Sequence, residues 1–185
     1  MQRQPGWGKE FGLVDEDTIL EWSVRIRYKA FELGGNFSIL LFFTEDESPI
    51  PEDPHDRYDL FLLPNYIGSF NTFINPESDE CANCQEHAND IQYGFVHINK
   101  HILNKPYGGS LDPTRVVPLL TNRLTWRIFK GDATRVDPTT SFPSLIIDVI
   151  ATPLTQNYPA FPHAEEPTVY EGITHGKPGG SRDSQ

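Results

Sequence analysis

Two apolar segments constrain the fold of this chain more than any other feature. In the first, from Ile19 to Tyr28, apolar and polar residues alternate with a period of two, which is typical of a strand buried on one face. Its inward side would carry four large apolar residues, Leu20, Trp22, Val24 and Ile26. The second segment, from Phe37 to Phe43, is apolar throughout and short enough for a buried strand. Both segments predict a sheet.

Short segments separated by turn signals continue along most of the chain. Strand-length apolar segments recur at residues 59–63, 66–74, 93–96, 124–129 and 145–151. Four apolar residues have a helical spacing that predicts one short helix, namely Phe95, Ile98, Ile102 and Leu103. Asp112 followed by Pro113 predicts the start of another helix. We therefore expect a mainly β chain, an antiparallel β-sandwich or barrel with one or two short helices.

The length of 185 residues predicts one domain with a real core, and the composition divides the chain into three parts. Residues 1–18 form an irregular lead-in, and residues 19–154 form the β-domain. From 155 to 185 the chain is rich in Pro, Gly, Glu and Ser without any apolar period. This composition predicts an extended or disordered tail, and removal of residues 157–185 would leave the folding cooperativity and the melting midpoint nearly unchanged.

The net charge of −11 excludes two classes of partner. Nucleic acid and anionic membranes both require a basic surface, so neither is an expected partner. The chain also has no apolar signal core and no stretch of about 18 apolar residues. These features favour a cytoplasmic location.

The only two cysteines, Cys81 and Cys84, form one Cys-x-x-Cys motif in an acidic segment. Two thiolates at this spacing suit Cu(I) or Zn(II), while a disulfide and inert thiols remain as alternatives. The flanking carboxylates raise the thiol pKa and attract a cation, which disfavours a redox enzyme. His87, three residues after Cys84, is either a third metal ligand or a loop histidine.

His97 and His101 have the spacing of a helical ligand pair. Only a helix would bring them within about 6 Å, because a strand would leave them about 13 Å apart. A solvated helix face is the alternative interpretation. The chain holds six histidines, and no pattern in the sequence groups them into two sets of three that could each hold a metal ion.

Several motifs in a fixed order resemble the C-terminal domain of fungal tyrosinases (polyphenol oxidases). They are Trp22–Ile26, Phe31–Ile39, Asn65–Phe70, Cys81–Cys84, Val116–Leu120, Leu124–Ile128 and Pro143–Leu145. The resemblance covers roughly residues 20–152, and Tyr170–Lys177 also resembles the end of such enzymes.

The resemblance implies a non-catalytic lid. In that family a separate helical domain holds two coppers on six histidines, and the C-terminal domain covers the entrance to this site. The catalytic domain would then be the partner of this chain, in cis or in trans, and the chain would not oxidise phenols by itself. The family also implies that the Cys-x-x-Cys assists copper loading, with Cu(I) bound only transiently and no permanent cofactor. The alternative is a generic β-sandwich interaction module without a metal role.

The stretch from Gly68 to Phe73 corresponds to the part of the resembled lids that plugs the active site with an apolar side chain. Residues three apart on a strand face opposite sides, so one of Phe70 and Phe73 should be core. We choose Phe73 as the plug and Phe70 as the core residue. The alternative is that both rings belong to the core.

Overall fold

The two apolar segments form central strands of two different antiparallel sheets. The computed structural model describes residues 18–44, 50–51, 57–74, 89–104, 109–156 and 161–182. In this part of the chain the strands are β1 Thr18–Lys29, β2 Phe37–Phe43, β3 Tyr66–Asn71, β4 Ile91–His97, β5 Leu124–Lys130, β6 Arg135–Val136, β7 Ile146–Thr155, β8 His163–Ala164 and β9 Thr168–Val169. The mainly β prediction is confirmed.

Each sheet is built around one of the two apolar strands. The first sheet has the order β4-β1-β7-β8, with β9 also paired to β7. The second has the order β3-β2-β5-β6. The main core contains inward side chains of both sheets, among them Trp22, Val24, Ile39, Leu41, Trp126 and Val149. The alternation in β1 therefore has the predicted cause, since its even-numbered residues enter this core and its odd-numbered residues face outward.

The described helices are more numerous than the one or two expected. They are α1 Arg57–Phe61, α2 Asn99–Leu103, α3 Pro113–Arg123, α4 Pro138–Ser141 and a 3-10 turn at Glu171–Ile173. The Asp112 side chain accepts a hydrogen bond from the Thr114 backbone N–H at 2.8 Å, which confirms the predicted helix start. Among the described residues, no helix has the length and apolar character needed to cross a bilayer.

The strand predicted at residues 59–63 is wrong, because this stretch lies in and just after α1. Leu60 is buried in a second cluster with Leu40 and Phe42 of β2, and Leu63 packs against the same cluster. The helical turn brings these two leucines, three residues apart, onto the outer face of the second sheet. This contact also explains why β2 is apolar on both faces.

The two sheets approach each other closely where β3 passes β4. The Phe70 ring lies over Gly94, and a Cβ atom at Gly94 would lie 2.4 Å from that ring. Phe70 also packs against Tyr28, with ring centroids 5.6 Å apart, and against Phe37, at 6.4 Å. This contact draws one side of the sandwich together and places Phe70 against the core.

The tail is extended, with only two-residue strands and one 3-10 turn, but it is not independent of the core. Tyr170 packs on Trp22 with ring centroids 4.9 Å apart, and Ile173 is buried in the main core. The Trp126 indole N–H donates to the Pro178 carbonyl at 2.9 Å. The expectation that residues 161–182 make no contribution to the core is therefore wrong. Isolated residues hold the tail against the sandwich, and isolated contacts of this kind produce no apolar periodicity in the sequence.

Candidate functional site

Phe73 lies two residues after the end of β3, and its side chain is 97% exposed. Both of its neighbours are tied to the segment that leads into β2. The Thr72 hydroxyl accepts from the Phe37 N–H at 2.9 Å and donates to the Phe37 carbonyl at 3.2 Å, while the Ile74 N–H donates to the Asn36 side chain. The fold thus holds the phenyl ring out into solvent on a fixed piece of backbone. Its role as a plug remains a prediction.

Cys81, Cys84 and His87 lie outside the described residues. On either side of them, Ile74 and Asn89 are described, and both lie at the end of the sandwich where β1 ends. Asn89 accepts a hydrogen bond from the Lys29 ammonium at 3.3 Å, and Lys29 is the last residue of β1. The proposed metal ligation therefore stays a prediction from sequence.

His97 and His101 do not form a helical pair. His97 is the last residue of β4, whereas His101 lies in α2. The predicted short helix is present as α2, but it begins at Asn99 and does not include Phe95, because β4 continues to His97, where it pairs with Ser23 of β1. Burial and the neighbouring Lys100 lower the pKa of His101. Among the described residues, no group of three or more His, Cys, Asp or Glu side chains could hold a metal ion.

The surroundings of His97 contain the residue types of a hydrolase triad but not its geometry. The Ser23 hydroxyl lies 2.8 Å from His97 Nδ1, and Glu21 Oε1 lies 3.4 Å from the same nitrogen. A relay from carboxylate to nucleophile uses the two opposite ring nitrogens. The Ser23 side chain is also buried. These three residues therefore tie β1 to the end of β4 and do not predict nucleophilic catalysis.

An apolar stripe on the solvent-facing side of β4 is the feature that the sequence analysis missed. It consists of Ile91, Tyr93 and Phe95, which we call the β4 stripe. Tyr93 is 56% exposed and Phe95 is 49% exposed. The alternation of these residues with Gln92 and Gly94 was the available signal, but the predicted strand, 93–96, was too short to reveal it.

An ion triad lies beside the β4 stripe on the same face of the sheet. Asp148 of β7 is 0% exposed and accepts two hydrogen bonds from Arg25, both at 2.8 Å, and one from Arg27 at 3.0 Å. The hydrogen bond to Asp148 raises the pKa of Arg25. A lone aspartate within the apolar run Ile146–Ile150 was the sequence signal for this partner.

A cleft of about 700 Å³ opens between β5, β6 and the tail, with Arg127, Arg135 and Lys177 among its lining residues. Burial lowers the pKa of Lys177 to about 8. Its ammonium nevertheless donates to the carbonyls of Leu120, Thr121 and Leu124 at 3.3, 2.8 and 2.8 Å. This lysine supplies hydrogen bonds to backbone carbonyls at the C-terminal end of α3, so its role is to hold the tail against that helix.

Comparison with known proteins agrees with this geometry. The family profile described as the tyrosinase C-terminal domain matches residues 21–149, more than half of the chain. Polyphenol oxidase 2 of Agaricus bisporus is 29% identical over 159 residues, which cover 83% of this chain and 25% of that protein. Polyphenol oxidase 4 of the same organism is 33% identical over 84 residues, covering 45% of this chain and 12% of that protein. The chain therefore spans a quarter or less of the length of these relatives.

Solved structures show the same fold. A structure of recombinant mushroom tyrosinase superposes with a TM-score of 0.59 at 22% identity, covering 94% of this chain and 31% of that chain. A crystal structure in which latent and active mushroom tyrosinase coexist superposes with a TM-score of 0.55 at 25% identity, covering 84% and 26%. In both, most of the solved chain lies outside the match.

Proposed function

This chain belongs to the tyrosinase C-terminal domain family, and from that premise we propose that it covers the dicopper active site of a polyphenol oxidase. Its partner is the catalytic domain, in cis or in trans. The proposed role is physical exclusion of the phenol substrate, and the chain by itself supplies no oxidase chemistry. The four described histidines support this assignment, because they lie on β4, α2, β8 and after the 3-10 turn and do not converge.

The observation that carries this proposal is the exposed ring of Phe73 on its tied backbone. An apolar side chain of this size gains about 2 kcal/mol when it is moved from water into an apolar site. Because Thr72 and Ile74 already hold the neighbouring backbone, little conformational freedom is lost when the ring enters a partner. A pre-positioned phenyl group is well suited to occupy a pocket that accepts a phenol.

Phe73→Ala is expected to weaken inhibition of a catalytic domain by about thirtyfold, because it removes about 2 kcal/mol of burial. The probe is the catalytic portion of Agaricus bisporus polyphenol oxidase 2, produced without the residues that match this chain. Catechol oxidation is measured while each purified variant is titrated in. Phe161→Ala is the matched control, since Phe161 is 94% exposed but lies on the tail. An unchanged inhibition constant for Phe73→Ala would contradict the plug role.

We further propose that Cys81 and Cys84 bind one Cu(I) ion as cargo for the catalytic domain. The support is the donor chemistry, because two thiolates two residues apart form a soft chelate that Cu(I) accepts. The flanking carboxylates Glu80 and Glu86 attract the cation without supplying soft ligands.

Cys81→Ser and Cys84→Ser should each weaken Cu(I) binding at least about tenfold, since either change removes the chelate advantage of the pair. His87→Ala should have a smaller effect than either. Affinity is measured by competition with a chromogenic chelator under reducing conditions. If the double serine variant binds Cu(I) as tightly as the parent chain, the copper role fails and a simple interaction module becomes the better interpretation.

A further inference from the structure

The outer face of the first sheet has the composition of a binding surface. The β4 stripe exposes three large apolar side chains at alternate positions of a strand at the end of the sheet order. Single exposed apolar residues are normal on a protein surface, but an ordered row of them marks a site of interaction.

The same face carries a row of cations on β1, although the whole chain carries a net charge of −11. In the strand register, Lys29, Arg27 and Arg25 of β1 lie directly opposite Ile91, Tyr93 and Phe95 of β4. On the other side of β1, Asp148 of β7 lies opposite Arg25. The face therefore combines an apolar row with a parallel row of three cations, and the carboxylates of Asp148 and Glu171 near Arg25 offset part of their charge.

Asp148 also fixes the geometry of this cationic row. Its carboxylate accepts two hydrogen bonds from Arg25 and one from Arg27, so both guanidinium groups are held in place before any partner arrives. Their side chains remain 19% and 29% exposed. Pre-organised guanidinium groups recognise carboxylates at little entropic cost, which favours a partner with acidic residues.

A second copy of this chain does not suit the surface. A two-fold symmetric interface would place the same cationic rows against each other, and two chains of charge −11 would also repel. We propose instead that the β4 stripe and the Arg25–Asp148–Arg27 triad dock the catalytic domain of a polyphenol oxidase, through a surface of apolar and acidic residues. This inference rests on the proposed function, because the family relationship identifies the occupant.

The docking face and Phe73 belong to the same end of the molecule. Ile91 pairs with Lys29 at the end of β1, and the adjacent Tyr28 packs on Phe37 with ring centroids 5.1 Å apart. Phe37 in turn holds Thr72 beside Phe73. A catalytic domain seated on the Ile91 end of the stripe would therefore lie at the end of the molecule that also carries the exposed ring, so docking and plugging are separable contributions of different residues.

Binding and inhibition are measured together to separate these contributions. The probe is again the catalytic portion of Agaricus bisporus polyphenol oxidase 2 without its matching residues. Tyr93→Thr/Phe95→Thr is expected to weaken the Kd at least tenfold while keeping the β-propensity of the strand. Leu62→Thr is the matched control, because Leu62 is 83% exposed after α1, beside the outer face of the second sheet, and should leave the Kd unchanged. Phe73→Ala should lose inhibition more than binding.

The possible outcomes distinguish the two proposals. A Kd for Tyr93→Thr/Phe95→Thr within threefold of the parent, with inhibition intact, overturns the docking face and leaves the lid role standing. Binding that is lost in this variant while the parent chain never inhibits supports the docking face and overturns the lid role. Absence of binding by the parent chain overturns both. A dimer in sedimentation that Tyr93→Thr/Phe95→Thr abolishes overturns the choice of occupant.

Discussion

Truncation after residue 160 should lower the free energy of unfolding by about 3 kcal/mol or more. The deletion leaves three carbonyls at the end of α3 without the Lys177 ammonium, at about 1 kcal/mol each, and uncovers Trp22 where Tyr170 packed. For a chain of this length, that loss corresponds to a fall of about 6–12 °C in the melting midpoint. Thermal and urea denaturation, followed by far-UV circular dichroism, measure it.

Two further variants identify the cause of that loss. Truncation after Arg182 is the matched control and should leave the midpoint unchanged. Lys177→Met keeps most of the unbranched side chain but removes its three donated hydrogen bonds, so it should reproduce a substantial part of the effect. A midpoint that does not move when residues 161–185 are removed would show that the tail contacts contribute no stability.

Asp148→Ala should destabilise the chain by about 3 kcal/mol, because it leaves Arg25 and Arg27 side by side without their shared carboxylate. Asp148 is 0% exposed, so water cannot replace it without rearrangement of the sheet face. The free energy of unfolding is obtained from urea denaturation. Glu166→Ala, at an exposed position, is the control and should have no measurable effect.

A triple variant tests whether the uncompensated charge is the reason. Asp148→Leu combined with Arg25→Met and Arg27→Met replaces the whole triad by apolar side chains and should recover most of the lost stability. A loss below about 1 kcal/mol for Asp148→Ala would contradict the argument. Equal destabilisation of the single and triple variants would assign the effect to packing instead of charge.

The sequence by itself determined the elements whose signals are local. The alternation in β1 and the continuous apolar run of β2 gave both strands nearly to the residue, since the period of the side chains follows directly from burial on one face or two. Asp112 and Pro113 likewise marked the start of α3, because a helix cap depends on residues two or three positions apart. The order of the short motifs was enough to indicate the family.

Only the tertiary structure decided the features that depend on distant partners. Residues 59–61 became helical because the turn covers the outer face of β2, and His97 joined a strand because Ser23 lies opposite it. Lys177 reaches carbonyls 53–57 positions away, and Asp148 meets Arg25 across 123 positions. Such contacts leave no periodic pattern in the sequence, because each depends on one side chain and one distant partner and does not repeat along the chain. Local sequence therefore specified strands and caps, whereas the packing of the tail and the ion triad followed from contacts between distant parts of the chain.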